Sequence, residues 1–342
     1  MPLKPVPGTA QVTSAELRSR FPELLDQLGQ GTRVVVTHYR RPIGALVSLE
    51  DLQRLRRADV ADAQSGQGRL MQIIGTHNQS GGVGKTTSVA ELGYDLITRL
   101  NPRTGQPNRV LLVDTDPQAS LTKRFGLHDD PSSPAHVVTS TLFMSVMDLQ
   151  LPGPTPLPSA TVPELHLIPA NQHLSRLDAL LYSDDSLLPN LGQVLRRYED
   201  YDYILIDTPP SRGMITRAAL VASDHIIIPV NSSLKAMENF DSVSEVIGQC
   251  QRHNPNLRVA MFLLTQYQKN ILHDQDVQRI LQTQYAGIAP TSSPVPHRKA
   301  LFNDASLARL PVALYRPKDP VNEDLRRVTD ELLAYIGEPV TA

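Results

Sequence analysis

The sequence predicts an α/β protein with a doubly wound, mostly parallel sheet. From residue 70 onward, short apolar segments alternate with helical patterns, which is typical of strands that are buried on both faces. A glycine-rich segment, residues 77–87, lies between one such strand and a helical pattern. Aspartates follow two further strands. Because ligands bind at the carboxyl ends of parallel strands, these observations predict one site at one edge of the sheet.

The composition limits the functional classes. The 342 residues suffice for one large domain and a small one, and the net charge is −2, so any nucleic-acid surface must be local. The single cysteine, Cys250, excludes a disulfide framework and an all-cysteine metal or iron–sulfur site within one chain. Neither a membrane-spanning segment nor a signal peptide is predicted, so we expect a soluble cytoplasmic protein.

Residues 10–58 predict a small α+β domain in the order helix, strand, strand, helix. After a loose stretch over residues 1–9, Thr13 and Glu16 form a capping-box pattern that starts the first helix. The two strands of the hairpin are predicted over residues 33–38 and 43–47. So small a unit buries little core alone, which suggests dimerisation. Residues 59–69 then form a linker.

The large domain, residues 70–340, has five strands marked by apolar runs. They are predicted over residues 71–76, 109–114, 203–207, 225–230 and 259–264. Helices are predicted over 88–100 and 321–336. The Pro- and Ser-rich segment 127–163 is predicted to be a surface excursion with one short helix.

The glycine-rich segment has the spacing of a phosphate-binding loop. Its backbone N–H groups and the N-terminus of the next helix attract anionic oxygens. Lys85 can reach the β- and γ-phosphates of a nucleotide, and the Thr86 hydroxyl can ligate Mg²⁺. The pattern G-x-x-x-x-G-K-[ST] departs at Gln79, where glycine is usual. The nucleotide-binding residues predicted in this loop are Ser80, Gly81, Gly82, Val83, Gly84, Lys85, Thr86 and Thr87.

Three aspartates at strand ends supply the carboxylates of the predicted site. Asp207 ends a strand of β-forming residues, where a carboxylate can hold Mg²⁺ through water. Asp114 and Asp116 follow another strand and can complete the Mg²⁺ shell and orient an attacking water. The predicted metal residues are therefore Thr86, Asp114 and Asp207, and the predicted catalytic residues include Lys85, Asp114 and Asp116.

Residues 71–335 resemble the ParA/MinD-type ATPases, specifically the ParA branch. Besides the loop, the matching motifs are VDTDPQAS at 113–120, LIPAN at 167–171, IDTPP at 206–210, IPV at 228–230, LT at 264–265 and VPHR at 295–298. The resemblance implies a P-loop NTPase fold with ATP and Mg²⁺ as cofactors. It also implies an ATP-bound sandwich dimer that binds DNA non-specifically until a ParB-like adaptor stimulates hydrolysis.

The same resemblance gives further site residues. Asp116 matches the family's water-orienting position and Asp114 supports the Mg²⁺ site. Thr265, Pro296 and His297 lie in the motifs where the family closes over adenine.

The loop departs from the family at Ser80. The family has a signature lysine there, which crosses the dimer to the partner's phosphates, and a hydroxyl cannot supply that charge. The sequence resembles the McdA-type ATPases in lacking this lysine, and in them a lysine from a later segment substitutes. Lys235, just after a predicted strand, is the candidate for that role in trans. The alternative is a solvated lysine at a helix start.

Residues 10–57 resemble the N-terminal domain of the Phd/YefM antitoxins. The resemblance rests on VTSAELR at 12–18 and RRPIGALVSLED at 40–51. It implies dimerisation and operator DNA binding, with the candidate contacts Arg18, Arg20, Arg40 and Arg41. The alternative is that these arginines form a solvated face of a dimerisation module. A linker replaces the family's toxin-binding tail, which argues against toxin neutralisation.

A late group of basic residues can contact DNA phosphates, which non-specific binding requires. We call four of them the late basic surface: Arg316, Lys318, Arg326 and Arg327. The alternative is a charged solvent face. No basic amphipathic tail follows the last helix, so a membrane partner is not expected.

The sequence thus favours a ParA-family ATPase for plasmid or chromosome partition, cytoplasmic and nucleoid-associated, with operon autorepression through its N-terminal domain. The alternative is an ATP-switched transcriptional regulator or antitoxin-like DNA-binding protein. An iron-protein-like reductase is excluded because Cys250 alone cannot supply paired cluster ligands. Biosynthetic amidoligase relatives would not need residues 1–57.

Overall fold

The computed structural model describes residues 9–13, 16, 19–20, 23–24, 33–38, 41–46, 71–128, 133–231 and 240–338. The chain divides into two compact units, Met1–Leu70 and Met71–Ala342. Within the described residues, no helix combines the length and the apolar character needed to cross a membrane.

The described part of the first unit contains a three-stranded sheet. Its strands are β1 (Thr9–Thr13), β2 (Arg33–His38) and β3 (Arg41–Leu46). β1 runs parallel to β2, whereas β3 runs antiparallel to it and completes the predicted hairpin. The buried side chains Val12, Leu24, Val34 and Val36 form a small core. β1 was not predicted, and it ends at Thr13, where the sequence predicts the start of a helix; its sequence, TAQVT, contains no apolar run, and its order comes from pairing with β2. Of the predicted loose stretch over residues 1–9, only Thr9 lies among the described residues.

The second unit is built on a seven-stranded sheet. Its strands are β4 (Gln72–Thr76), β5 (Val110–Asp114), β6 (Leu157–Pro158), β7 (His166–Ile168), β8 (Tyr203–Asp207), β9 (His225–Val230) and β10 (Arg258–Leu264). The order across the sheet is β10-β9-β4-β8-β5-β7-β6. All neighbouring strands are parallel except β6, which is antiparallel to β7. The predicted mostly parallel sheet is confirmed.

Helices connect these strands. They are α1 (Lys85–Ile97), α2 (Ser120–Arg124), α3 (Pro134–Met147), α4 (Leu174–Ser183), α5 (Asn190–Leu195), α6 (Met214–Ala222), α7 (Phe240–Cys250), α8 (Leu272–Thr283), α9 (Lys299–Leu307), α10 (Val312–Tyr315) and α11 (Val321–Tyr335), with a 3-10 turn at Asp185–Leu187.

The helices cover both faces of the sheet, because successive strand residues point to opposite sides. On one face, Leu112 of β5 packs in a core that includes residues of α1, α2 and α9 to α11. On the other face, Leu111 and Val113 of the same strand pack in a core with residues of α3 to α6. A third core joins β9 and β10 to α6, α7 and α8. The sheet is therefore doubly wound, as predicted.

Helix α3 corrects the prediction of a surface excursion with one short helix. It has 14 residues, and Val138, Leu142 and Val146 are buried in the core. The helix begins where Ser133 accepts a hydrogen bond from the backbone N–H of His136, and a proline occupies its first turn. Its β-branched and hydroxyl residues lower the helix propensity, but burial of one face outweighs that preference.

The strand order places the site. β4 lies between β8 and β9, and the carboxyl ends of these parallel strands meet at one edge of the sheet. The loop after β4 leads into α1, which begins at Lys85 rather than at the predicted Ser88. The strands β8 and β9 both follow β4 in the chain but lie on opposite sides of it in the sheet. In a doubly wound sheet, such a reversal of strand order opens a crevice for a ligand.

Candidate functional site

The loop between β4 and α1 has the backbone of an anion cradle. Gly82 and Gly84 have φ values of 73° and 93°, in the left-handed region where a side chain is strained. Gly84 is the N-cap of α1 and has no side chain to cap the first N–H groups of the helix. Those N–H groups, at the positive end of the helix dipole, remain to bind phosphate oxygens.

Neighbouring strand ends hold this loop in place. The side chain of Asn78 accepts a hydrogen bond from the backbone N–H of Ser80 at 2.8 Å and donates one to the carbonyl of Pro229 at 2.8 Å. From the end of β10, the Thr265 hydroxyl donates to the carbonyl of Val83 at 2.8 Å. The loop is therefore fixed to both β9 and β10 before any ligand binds.

The Lys85 side chain lies within the loop. It is only 7% exposed, and its ammonium donates hydrogen bonds to the carbonyls of Asn78, at 2.7 Å, and Ser80, at 3.1 Å. Burial lowers its pKa, while the carboxylates of Asp207 and Asp116 oppose this effect. A buried ammonium with these acidic neighbours suits a phosphate chain that passes between them.

Asp207 is the most unusual group of the site. It is fully buried, and neither carboxylate oxygen has a hydrogen-bond partner among the described residues. Its pKa is raised well above the usual value, first by burial and then by Asp114; the nearby Thr86 hydroxyl and the Lys85 ammonium act in the opposite direction. An orphaned buried carboxylate beside a threonine hydroxyl fits a divalent cation, because both groups offer the oxygen ligands that Mg²⁺ prefers.

The rest of such a metal shell must come from elsewhere. No group of three or more His, Cys, Asp or Glu residues in the described segments could hold a metal ion. Mg²⁺ in phosphoryl-transfer sites takes one or two protein ligands, with phosphates and water as the others. The residues present fit that arrangement.

Asp114 lies beside Asp207 but has its oxygens occupied. The two residues are direct partners in the pairing of β5 with β8. One oxygen of Asp114 accepts the backbone N–H of Asp116 at 3.0 Å, and the other accepts both the N–H and the hydroxyl of Thr122, at 2.9 and 2.7 Å. Burial nevertheless raises its pKa to about 6. These contacts position Asp116 and the start of α2, and direct metal binding by Asp114 stays a prediction.

A cleft of about 570 Å³ lies along the phosphate loop, and Lys85, Thr86 and Asp116 line it, whereas Asp114 and Asp207 are buried behind it. One end is polar, with the loop, Thr86 and Asp116 in its wall. The other end is lined by apolar side chains that include Leu92, Val295 and Phe302. The cleft lining includes most of the predicted nucleotide-binding residues, namely Gly81, Gly82, Gly84, Lys85, Thr86, Thr87, Thr265, Pro296 and His297.

A buried ion pair lies at the wall of this cleft. Glu91 of α1 binds Arg124 of α2 and also accepts the backbone N–H of Val312 at 3.0 Å. Burial raises the pKa of Glu91, and Arg124 opposes that effect. The pair joins α1, α2 and α10 around the apolar end of the cleft.

The late basic surface lies outside the lining of the cleft. All members of the late basic surface are exposed, and Arg327 forms an ion pair with Asp324 at 3.3 Å. Arg20 is exposed and paired with Glu23 at 2.7 Å. Arg18, Arg40 and Lys235 lie outside the described residues, as does the side chain of Arg41.

Three residues of the site were missed by the sequence analysis. They are Asn78, Thr122 and Arg212, of which Arg212 donates a hydrogen bond from Nε to the Gln79 side chain at 2.6 Å. The position of Arg212, five residues after Asp207 in a loop at a strand end, was the available signal. Asn78 and Thr122 act through side-chain contacts that no spacing rule indicates.

Comparisons with known proteins agree with this geometry. The AAA domain family AAA_31 matches residues 71–286. A probable plasmid-partitioning protein ParA from Thermus thermophilus is 31% identical over 277 residues, which cover 78% of this chain and 79% of that protein. The sporulation initiation inhibitor protein Soj from Bacillus subtilis is 31% identical over 252 residues, 72% of this chain and 92% of Soj.

Solved structures share the fold. Cobyrinic acid a,c-diamide synthase from Mycobacterium smegmatis, with bound ADP and magnesium, is 27% identical, with a TM-score of 0.61 over 78% of this chain and 96% of that one. The ATP complex of a Cyanothece McdA variant is 21% identical, with a TM-score of 0.65 over 80% of this chain and 98% of that one. The latter likeness concerns the fold alone. From the family match and the two relatives, the chain belongs to the AAA_31 family of ParA-type P-loop ATPases.

Proposed function

We propose that this protein is a Mg²⁺-dependent ATPase that acts in the partition of a plasmid or chromosome. ATP and Mg²⁺ are its cofactors. The observation that carries the proposal is the buried carboxylate of Asp207, which has no hydrogen-bond partner among the described residues and lies near Thr86, a residue that lines the cleft together with the glycine-rich phosphate loop. The relatives named ParA and Soj support the partition role.

Each residue of the site has a role in this reaction. The N–H groups of the loop and of the start of α1 bind phosphate oxygens, and Lys85 stabilises the negative charge that develops on them. Thr86 and Asp207 would hold Mg²⁺, which would neutralise phosphate charge when bound. Asp116 orients the attacking water. A carboxylate oxygen of Asp114 accepts the backbone N–H of Asp116 and so holds Asp116 in place.

The apolar end of the cleft takes the adenine ring. Thr265, Pro296 and His297 line it together with apolar side chains, and Thr265 also anchors the loop. The ATP-bound chain forms a sandwich dimer, in which Lys235 reaches the partner's phosphates. Sedimentation of the full-length protein with ATP and with ADP tests the dimer, and an ATP-bound monomer would exclude it.

ATP turnover of the Lys85→Ala variant tests the chemistry. We expect turnover to fall by about 100-fold or more, because one preorganised donor to the transition state contributes about 10²–10³. The matched control is Lys269→Ala, an exposed lysine outside the lining of the cleft. Equal turnover in the two variants would contradict the proposed role of the loop.

The ATP-bound dimer binds DNA non-specifically through the late basic surface. The logarithm of the DNA association constant falls linearly with the logarithm of the salt concentration, and each phosphate contact contributes about 0.9 to the steepness of that line. Replacing the four residues by alanine should therefore make the line less steep by about 3–4. Fluorescence anisotropy with a DNA duplex at several salt concentrations measures this slope. The control replaces four exposed basic residues elsewhere: Arg176, Arg252, Lys269 and Arg279. An equal loss in both variants would exclude a specific role for the surface.

The N-terminal unit, residues 10–58, resembles Phd/YefM antitoxins and binds operator DNA through Arg18, Arg20, Arg40 and Arg41. Footprinting of the upstream region with the full chain tests this autorepression, and an unprotected region at low salt would exclude it.

The stimulation of ATP turnover distinguishes the two candidate functions. Turnover stimulated by DNA and a ParB-like adaptor favours partition on the nucleoid in the cytoplasm. Sequence-specific binding with negligible turnover favours the alternative, an ATP-switched transcriptional regulator.

A further inference from the structure

A second cation reaches the phosphate loop from a distant part of the chain. Arg212 lies in the loop between β8 and α6, and its Nε donates a hydrogen bond to the side-chain oxygen of Gln79 at 2.6 Å. Gln79 directly precedes Ser80, the position at which this chain has no lysine. The guanidinium group of Arg212 is therefore bound to the residue next to Ser80, whose own side chain has no positive charge.

The backbone on either side of Arg212 is fixed. The backbone N–H of Gly213 donates to the Ser211 hydroxyl at 3.3 Å, which closes a turn around Arg212. A Cβ at Gly213 would lie 2.6 Å from a carboxylate oxygen of Asp178, so a larger residue would displace that oxygen. The same oxygen accepts the backbone N–H of Ile215 at 2.7 Å. Such anchoring presents the side chain of Arg212 in a defined direction.

The charges of Lys85 and Arg212 both lower the pKa of a buried histidine, His77. His77, directly after β4, is fully buried, and neither ring nitrogen has a hydrogen-bond partner among the described residues. Its pKa is lowered to about 4, first by burial, then by the charge of Lys85 and then by that of Arg212. The charges of Lys85 and Arg212 therefore act in the same direction on this ring.

An additional cation at the transferred phosphate accelerates phosphoryl transfer. Negative charge spreads over the transferred group in the transition state, and an arginine that contacts it raises turnover by about 10³–10⁵. A guanidinium has five N–H donors in a planar fork, so an arginine can serve several acceptors at once, a phosphate oxygen among them. Ser80 has no charge to contribute.

We propose that Arg212 is a catalytic residue that contacts the terminal phosphate of ATP bound in its own chain, with Gln79 as its positioning residue. The inference rests on the proposed ATPase function. The water oxygen forms a bond to the γ-phosphorus while the bond from that phosphorus to the leaving oxygen of ADP breaks. The proton of the water leaves with inorganic phosphate, and Arg212 keeps its own protons.

Kinetics and binding with the full-length protein test this role. Arg212→Ala should lower ATP turnover by about 1,000-fold, the lower limit for an arginine of this kind, and Arg212→Lys should recover only part of it. Affinity for fluorescent ADP should change by less than about 3-fold, whereas the ADP–aluminium fluoride complex, which mimics the transition state, should bind much more weakly. Gln79→Ala should lower turnover without changing ADP affinity.

The matched control is Arg176→Ala, an exposed arginine of α4. Its turnover should equal that of the wild-type protein, and melting curves should show that all variants fold. Turnover of Arg212→Ala within about 3-fold of wild type, or an equal loss of ADP and transition-state-mimic binding, would overturn the inference. If the wild-type protein hydrolyses ATP in the same assay, such a result overturns the role of Arg212 but not the proposed ATPase function. A wild-type protein that binds no nucleotide would refute both the ATPase function and the role of Arg212.

Mixing variants tests whether Arg212 acts within its own chain. In a dimer of one Arg212→Ala chain and one Lys85→Ala chain, each site lacks one of the two cations if both come from the same chain. We therefore expect no recovery of turnover. If Arg212 acted on the partner's phosphates, one site of the mixed dimer would be complete, and recovered turnover would overturn the same-chain assignment.

Discussion

Replacing Asp207 by Asn should stabilise the nucleotide-free protein, although it removes a residue of the site. The carboxylate is fully buried, and neither oxygen has a hydrogen-bond partner among the described residues. Asparagine has nearly the same volume and no charge. An asparagine amide there is also a buried polar group, so the substitution removes only the cost of the buried charge; because a charged group costs more to bury than a neutral one, we expect the free energy of unfolding at pH 8 to rise by about 1–3 kcal/mol. At about 2–4 °C per kcal/mol, the melting temperature should rise measurably.

This gain should depend on pH in a defined direction. The pKa of Asp207 is raised in the folded state by burial and by Asp114, so the folded protein holds this proton more tightly than the unfolded chain. Below the unfolded pKa, about 3.9, both states are protonated and Asp207 has no effect on stability. As the pH rises further, wild-type stability falls until the folded pKa is passed. Asp114, with a pKa raised by burial to about 6, adds to this fall between about pH 4 and 6.

Urea unfolding at pH 5 and pH 8 measures the effect. The advantage of Asp207→Asn over wild type should be larger at pH 8. The matched control, Asp185→Asn, changes an exposed aspartate and should match wild type at both pH values. Added Mg²⁺ and ATP should reverse the order, because ligand binding stabilises only the protein that can bind it. An Asp207→Asn variant less stable than wild type at pH 8 without nucleotide would refute the reasoning.

Two further predictions concern buried groups. Glu91→Ala leaves the buried Arg124 guanidinium without its carboxylate and should lower the free energy of unfolding by about 3–5 kcal/mol in urea titrations. Replacing both residues by Met should recover much of this loss, and a double variant as unstable as the single one would contradict the pairing. Burial raises the pKa of the Cys250 thiol to about 11, so at pH 8 a thiol reagent should label it only on unfolding. Rapid labelling of the folded protein would show that the thiol is accessible.

Much of the fold could be predicted because local sequence and burial agree. The predicted strands at 203–207 and 225–230 coincide with β8 and β9, where every residue but the first of β9 is buried. Strands buried on both faces need continuous apolar runs, and such runs are visible in a single sequence. The phosphate loop was equally visible, because its left-handed positions require glycine.

The strands β6 and β7 were not predicted as such. β6 has two residues and β7 has three, too few to form a periodic pattern. Their order comes from pairing with each other and, for β7, with β5. Tertiary contacts therefore decide these elements, and a pattern within the segment cannot indicate them.

The division of roles between the two strand-end aspartates also depends on tertiary contacts. Asp114 and Asp207 both end apolar strands, so either could be assigned to the metal from the sequence. The hydroxyl and N–H of Thr122 satisfy Asp114, while Asp207 has no such partner among the described residues. Thr122 can do so because its hydroxyl is itself fixed, accepting the backbone N–H of Ala170 beyond β7. A carboxylate with satisfied oxygens positions its neighbours, and an unsatisfied one beside it is left to bind a cation. The same argument applies to the phosphate loop: Arg212 is held there by Gln79, 133 residues away in the chain, and only the folded structure shows this contact.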